Sequence, residues 1–173
     1  MYNHLKGILI SADPSSIVVE CGGVGYSLRV PMTTYDRLPK PGEECLVLAY
    51  LLVREDAMEL FGFAEEVERR MFKELIGVTG VGPAAAMSIM SQKSVEEICA
   101  AIRKGDHAPL QKAKGVGRKT AERVVLELRG VGVEIRSGAV QALLLPAEGA
   151  EPYGVFGLVL GHLGSHLYHQ GWA

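Results

Sequence analysis

The chain has 173 residues, 48% hydrophobic and 22% charged, a composition that excludes a disordered protein and allows a substantial core. Its formal net charge of −2 hides a division. Residues 1–66 carry 5 Lys and Arg against 10 Asp and Glu, whereas residues 67–130 carry 12 against 7. The basic segment predicts a polyanionic partner for the middle of the chain alone. No secretory signal pattern opens the chain, which favours a cytoplasmic protein, and the widely spaced Cys21, Cys45 and Cys99 are interpreted as reduced thiols.

Residues 1–63 have the pattern of short strands with no helical stretch between them. The predicted strands are Leu5–Ile10, Ser16–Cys21, Val24–Val30, Cys45–Val53 and Ala57–Phe63, with Gly22-Gly23 as a tight hairpin and breaks at Pro31 and residues 39–42. This pattern is typical of a small barrel of the oligonucleotide/oligosaccharide-binding (OB) type, although a small sandwich would leave the same pattern.

A charged tip, Arg54-Glu55-Asp56, separates the last two predicted strands. An exposed hairpin tip needs polar residues for solvation, and that explanation suffices for these residues taken alone. The functional alternative is that the carboxylates of Glu55 and Asp56 form an electrostatic wedge that repels phosphate. That alternative matters only if neighbouring surfaces bind DNA.

From residue 64 the hydrophobic period becomes that of α-helices. Ala64–Ile76 is predicted as an amphipathic helix, and Pro83 suits the first position of the helix that follows. Ser94-Val95-Glu96-Glu97 is a capping box that predicts another helix start. Gly105-Asp106 is predicted to start a short helix, and Arg118–Leu128 is predicted to be the last helix of this region.

Residues 75–83 and 110–118 repeat one pattern at an offset of 35 residues. Each copy has an apolar helix end, a Gly-Val-Gly turn and a second helix. The match continues beyond the turns, where Ala86, Ile89 and Met90 align with Ala121, Val124 and Val125. Because two copies are too few for a solenoid, they predict one compact unit with internal pseudo-symmetry.

Neither Gly-Val-Gly turn fits a nucleotide-binding fingerprint. Gly115–Thr120 lacks the spacing of a P-loop, and both turns follow a helix rather than a strand. The remaining motif is helix-hairpin-helix, whose glycines permit positive φ and whose second helix presents backbone N–H groups to a phosphate. One such turn would be explained as an ordinary connection, but two copies in a basic segment favour tandem binding of the DNA backbone, without sequence readout. The predicted DNA-binding residues are Thr79, Gly80, Val81, Gly82 and Ala84 in the first turn, and Lys114, Gly115, Val116, Gly117, Arg118, Lys119 and Thr120 in the second.

The C-terminal stretch, residues 139–173, is rich in glycine and poor in charge. His162 and His166 are spaced one helical turn apart, with His169 nearby, as metal ligands can be. No carboxylate or cysteine stands close to complete a set, so no metal site and no cofactor are predicted. Tyr153–Tyr168 is too short and too polar to predict a membrane span.

Seven blocks of sequence within about residues 1–130 stand in a fixed order: Gly22–Tyr26, Pro31–Thr34, Val53–Ala57, Leu60–Phe63, Phe72–Ile76, Gly80–Pro83 and Gly115–Arg123. In this order the blocks resemble the RuvA family, the DNA-binding subunits of the bacterial Holliday junction branch migration complex. Pattern and resemblance together predict an α+β multidomain chain. Its parts are an OB-fold barrel at residues 1–63, a tandem helix-hairpin-helix domain at residues 64–138, and an atypical tail at residues 139–173.

The resemblance implies a non-catalytic protein that binds four-way junctions as a homotetramer or octamer and holds them open and square. It also implies two protein partners in recombination and DNA repair: RuvB, a hexameric ATPase that drives branch migration, and RuvC, a resolvase. In the family an acidic pair at the barrel hairpin forms a pin near the crossover, and Glu55 and Asp56 match it. The tail departs from the family's small motor-binding domain of three helices. We therefore expect junction binding without stimulation of motor-driven migration.

The alternative from the helix-hairpin-helix motif is a base-excision DNA glycosylase. Such an enzyme needs a nucleophilic Lys in the hairpin or a catalytic Asp after it. Lys119 lies in the second hairpin but no Asp follows it, and Asp106 follows the first hairpin, which has no Lys. A single-strand-binding barrel would need aromatic stacking platforms, and only 6% of the residues are aromatic.

Overall fold

The computed structural model describes residues 2–129 of the chain. Within that range the strands are β1 (His4–Asp13), β2 (Ser16–Cys21), β3 (Val24–Arg29), β4 (Glu44–Val53) and β5 (Met58–Phe63). The helices are α1 (Met32–Tyr35), α2 (Glu66–Gly77), α3 (Pro83–Gln92), α4 (Val95–Lys104), α5 (Ala108–Gln111) and α6 (Arg118–Leu128). The sequence-based expectations for the tail and for His162, His166 and His169 lie outside the described residues.

The five strands close into a barrel in the order β1-β2-β3-β5-β4. Neighbouring strands are antiparallel except β3 and β5, which run parallel and pair at Arg29 and Phe61. Alternate side chains point inward, so that Leu9, Val19 and Val47 are fully buried. The OB-type barrel is therefore confirmed, and the sandwich alternative is excluded.

Two details of the chain path differ from the sequence-based expectation. Pro31 was expected only to break a strand, but it also precedes α1, a single turn of helix between β3 and β4. The prediction that Gly105-Asp106 starts the short helix is wrong. Gly105 instead ends α4 with a left-handed φ of 73°, and α5 begins at Ala108. A glycine favours this ending because a Cβ would strain the left-handed conformation.

The helical region packs directly on the barrel through one aromatic side chain. Phe72 of α2 is fully buried, and its ring centroid lies 4.7 Å from that of Phe61 and 5.2 Å from that of Phe63. Tyr50 of β4 approaches the same ring edge-on at 5.6 Å. Such aromatic pairs add about 1 kcal/mol each beyond the burial of their area. Leu48, Phe61 and Phe63 of the barrel consequently belong to the hydrophobic cluster of the helices, whereas the rest of the barrel interior forms a cluster of its own.

The buried side chains of α3 and α6 follow the internal repeat. Ala86, Ile89 and Met90 on α3 face the core, and so do Ala121, Val124 and Val125 on α6.

The capping box at α4 is also confirmed: Ser94 N donates to Glu97 Oε2 at 2.9 Å, and Glu97 N donates to Ser94 Oγ at 3.3 Å. In residues 2–129 no helix combines the length and the apolar character needed to cross a membrane.

Candidate nucleic-acid interface

The two Gly-Val-Gly turns have nearly the same backbone conformation. Gly80 has a φ of 88° and Gly115 a φ of 83°, both in the region that favours glycine. Gly82 (φ −85°, ψ 168°) and Gly117 (φ −80°, ψ 169°) are the extended N-cap residues of α3 and α6. The repeat seen in the sequence is therefore a repeat of backbone geometry.

The valine inside each turn faces the protein. Val81 and Val116 are buried. Val81 N donates to Val78 O at 3.0 Å, and Val116 N donates to Ala113 O at 3.1 Å. Both valines thus close and anchor their turns, which leaves the glycines and the helix starts to meet a ligand.

Backbone N–H groups at the starts of α3 and α6 are available to an anion. The first bond into each helix is made by Ala86 N to Gly82 O at 3.0 Å and by Ala121 N to Gly117 O at 2.9 Å. Preceding donors find no acceptor in the part of the chain that the structure describes. They are the N–H groups of Gly82, Ala84 and Ala85 in the first motif and of Gly117, Arg118, Lys119 and Thr120 in the second. Together with the helix dipole, they can bind phosphate oxygens.

The second turn carries exposed cations. Lys114 and Lys119 are exposed, and neither has a carboxylate within ion-pair distance among residues 2–129. Arg118 Nε donates to Glu122 Oε1 at 2.8 Å, which raises the pKa of Arg118 and lowers that of Glu122. His107 Nε2 lies 3.8 Å from the same oxygen. The two lysines are therefore open to a polyanion, although Lys119 also contributes to lowering the pKa of Glu122, whereas Arg118 forms an ion pair with Glu122.

The first turn receives its cation from the second motif. It has no Lys or Arg of its own, but Arg123 of α6 donates from Nη1 to Thr79 O at 3.0 Å. In the opposite direction, Gln92 of α3 donates from Nε2 to Lys112 O, beside the second turn, at 3.1 Å. Neither residue was predicted from the sequence, because contacts over 44 and 20 positions leave no local pattern. Of the remaining predicted residues, Thr79 and Ala84 are exposed and Thr120 is half-buried.

Glu55 and Asp56 stand at the exposed tip between β4 and β5, as expected. Arg54 N donates to Ala57 O at 2.8 Å and closes the tip. Across residues 2–129, neither Glu55 nor Asp56 forms an ion pair, and neither contacts the Gly-Val-Gly turns through a hydrogen bond. The neighbouring cation is occupied elsewhere, since Arg54 Nη2 lies 3.9 Å from Glu59. The negative charge of the tip is therefore uncompensated.

Comparisons with known proteins agree with this arrangement. The family profile described as RuvA N terminal domain matches residues 1–62, and that described as SAM-like helix-hairpin-helix tandem matches residues 72–129. Holliday junction branch migration complex subunit RuvA of Chlorobium phaeobacteroides (strain BS1) is 47% identical over 144 residues, which are 83% of this chain and 72% of that protein. The chain belongs to the RuvA family.

Two further relatives of the same name extend the similarity. The RuvA of Rubrobacter xylanophilus is 47% identical over 153 residues, 88% of this chain and 77% of that protein. The RuvA of Burkholderia cenocepacia is 40% identical over 151 residues, 87% of this chain and 77% of that protein. The resemblance to the RuvA family is confirmed, and a glycosylase is not favoured. Nor does any group of three or more His, Cys, Asp and Glu among residues 2–129 form a candidate metal site.

Proposed function

We propose that this chain is a DNA-binding subunit that binds four-way (Holliday) junctions and supports branch migration in recombination and DNA repair. Its relatives are named as subunits of the Holliday junction branch migration complex. The observation that carries the proposal is the pair of equivalent turns whose free N–H groups open α3 and α6 beside exposed lysines. Such groups bind phosphate without reading bases, which suits a protein that must accept any sequence.

Phosphate binding is assigned to both turns. The residues that meet the backbone are Thr79, Gly80, Gly82 and Ala84 in the first turn, and Lys114, Gly115, Gly117, Arg118, Lys119 and Thr120 in the second. Val81 and Val116 shape the turns from inside. Lys114 and Lys119 add affinity that depends on salt, because binding them to phosphates releases counterions.

The choice of a junction over a plain duplex needs a second element, since the two turns would hold any duplex. We assign it to Glu55 and Asp56 in a homotetramer or octamer. Four symmetric copies would bring their carboxylates together at the crossover, where strands part and phosphates are repelled. The same negative charge would repel the phosphates of an ordinary duplex that lay across the centre.

The remaining roles follow the family. The chain acts without catalytic activity of its own, in the cytoplasm, and supports branch migration by holding the junction open and square. In the family the motor is a hexameric RuvB ATPase and the resolvase is RuvC. Because the tail at residues 139–173 is atypical, we expect this chain to bind junctions without stimulating the motor. The proposed division is a barrel domain at residues 1–63, a DNA-binding domain at residues 64–138 and a tail at residues 139–173. No bound cofactor is required, because positioning a junction involves no bond-making step.

A gel-shift titration tests the proposal by comparing a four-way junction with linear duplex of equal length and composition at the same salt concentration. We expect the junction to bind more tightly, with a complex mass that corresponds to four or eight copies of the chain. Equal affinity for the two DNAs would overturn the proposed function.

A further inference from the structure

Glu68, on the first turn of α2, is a buried carboxylate with four hydrogen-bond donors. Glu68 is only 3% exposed. Oε1 accepts the hydroxyl of Thr33 at 2.7 Å, and Oε2 accepts the hydroxyl of Thr34 at 2.9 Å. Oε2 also accepts the N–H groups of Ala64 at 3.0 Å and Glu65 at 3.3 Å. A carboxylate buried this deeply persists only with such a complete set of donors.

The donors come from both sides of the domain boundary. Thr33 and Thr34 belong to α1 of the barrel, whereas Glu68 belongs to the helical domain and Ala64 to the connection between them. Thr34 Oγ1 also accepts from Ala64 N at 3.1 Å, so two of the four partners of the carboxylate are bonded to each other. We call Glu68, Thr33, Thr34, Ala64 and Glu65 the domain clamp.

The clamp acts where the barrel and the helices have other fixed contacts. Met32 N, next to the clamp, donates to Ser91 Oγ of α3 at 3.1 Å. On another side of α2, Arg69 Nη1 donates to Asn3 O of the barrel at 2.7 Å. The barrel bears the acidic tip and α3 begins at the first phosphate-binding turn, so these contacts set the direction from one to the other.

We propose that Glu68 is a positioning residue that fixes the angle between the acidic tip and the phosphate-binding turns, and thereby sets the preference for junctions over duplex. This inference rests on the proposed function. Duplex binding needs only the turns, whereas junction binding needs the turns and the tip to meet one DNA molecule in a single geometry. At the right angle the acidic tip lies at the open centre of the junction, whereas at another angle its carboxylates would face the phosphates of the arms and repel them.

A matched pair of substitutions separates positioning from ordinary helix capping. Glu68 and Glu97 occupy the same place in their helices, and each accepts the N–H of its N-cap residue, Glu65 or Ser94. Glu97 is exposed, and within residues 2–129 its side chain forms no hydrogen bond or ion pair with the barrel. We expect Glu68→Leu to lower the junction-to-duplex affinity ratio about tenfold with duplex affinity nearly unchanged, because a misaligned tip would repel the phosphates of the junction arms, whereas duplex binding needs only the turns. Glu97→Leu should leave the ratio unchanged.

A second pair keeps the test decisive if Glu68→Leu does not fold. Thr34→Val preserves the shape of the side chain and removes the hydroxyl that joins Glu68 to Ala64, so it should also lower the ratio. Glu68→Gln should retain most of the ratio, because its amide oxygen can accept the three donors on one side while its NH₂ group donates to Thr33. Energy transfer between labelled junction arms should change in Thr34→Val and resemble the parent protein in Glu68→Gln.

Each result has a definite meaning. Unchanged ratios in folded Glu68→Leu and Thr34→Val, or equal losses of junction and duplex affinity, would overturn the positioning role while the proposed function stands. If the parent protein itself showed no preference for junctions, the proposed function would fail and this inference with it.

Discussion

Gly115 and Gly117 lie two positions apart in the second turn, and the two positions favour glycine for different reasons. Gly115 has a positive φ of 83°, a conformation that strains any residue with a Cβ. Gly117 has an ordinary φ of −80°, and a Cβ there would meet no atom within 4 Å. Gly115 therefore allows the backbone to turn, and Gly117 leaves space for the phosphate that we propose binds there.

This difference predicts different effects of alanine at the two positions. Gly115→Ala should lower the free energy of unfolding by about 1 kcal/mol, because the left-handed conformation is strained. Gly117→Ala should change it by less than about 0.5 kcal/mol, because alanine restricts the unfolded chain but is a poorer N-cap residue than glycine. It should nevertheless weaken duplex binding by obstructing the phosphate. Urea denaturation and duplex titration measure the two quantities. A Gly117→Ala protein with full duplex affinity would contradict the close approach.

Cys45 gives the barrel a dependence on alkaline pH. Burial raises the pKa of the Cys45 thiol to about 11 from a usual 9.0, with smaller contributions from Cys21 and Glu44. A raised pKa stabilises the fold below pH 9.0, and this contribution is lost as the pH rises toward 11. The loss is on the order of 2 kcal/mol.

Substitution of Cys45 should remove this part of the pH dependence. We expect the free energy of unfolding of the Cys45→Ala protein to fall less between pH 9.0 and about 11 than that of the parent protein. Val47→Ala is the matched control, since it also removes atoms from the barrel core but no titratable group. The same alkaline slope in all three proteins would show that Cys45 is not its source.

The two phosphate-binding turns differ in where their positive charge comes from. Lys114 and Lys119 belong to the second turn, whereas the first depends on Arg123 from α6. Exposed lysines without a carboxylate partner should each engage one phosphate and add to the salt dependence of binding.

Lys119→Gln should therefore flatten the salt dependence of duplex affinity. The slope of log affinity against log salt should decrease in magnitude by about 0.9, the value for one lost phosphate contact. Lys6→Gln is the control, because Lys6 lies on the barrel 3.6 Å from Glu44 and is not assigned to DNA. Equal slopes for parent and Lys119→Gln would remove Lys119 from the interface.

Elements with local signals were predictable from the sequence, and contacts over long distances were not. The hairpin at Gly22-Gly23, the capping box at Ser94 and the buried face of α6 depend on neighbouring residues, and each was confirmed. Glu68 was counted only as an acidic residue of a basic segment, because its partners Thr33 and Thr34 lie 35 and 34 positions away. The contact of Arg123 was not predictable either, because its acceptor, the carbonyl of Thr79, lies 44 positions away and carries no charge.

The groups that attract phosphate and the groups that repel it lie on different domains of the protein. The helical domain offers donors and cations, and the barrel offers an uncompensated acidic tip. Specificity then depends on the combination of the two, because neither part alone distinguishes a junction from a duplex.

Neutralising the tip should change the shape of the bound junction more than its affinity. In the Glu55→Gln/Asp56→Gln protein we expect junction binding to persist, since the phosphate-binding turns are intact, while the arms no longer open into a square. Energy transfer between labelled arms measures this change. Glu43→Gln/Glu44→Gln, which removes another adjacent acidic pair of the barrel, should leave the square geometry intact.

The tail predicts a separation of binding from motor activity. Among Asp, Glu, Lys and Arg, residues 139–173 contain only Glu148 and Glu151, and the sequence predicts no motor-binding domain of the family's kind there. We expect the full chain to bind a junction without accelerating branch migration by the hexameric ATPase, measured as strand dissociation with ATP. Normal acceleration would contradict this expectation and place the motor contact elsewhere.

The bonds from Arg123 to Thr79 and from Gln92 to Lys112 give the internal duplication an unusual character. Each copy forms its own turn but depends on the other copy for a side chain that steadies it. A 35-residue half excised from the chain would keep the sequence of a motif and lose its support. A substitution at Arg123 or Gln92 would therefore act mainly on the turn of the opposite copy, so that the two copies are coupled across the duplication rather than along the chain.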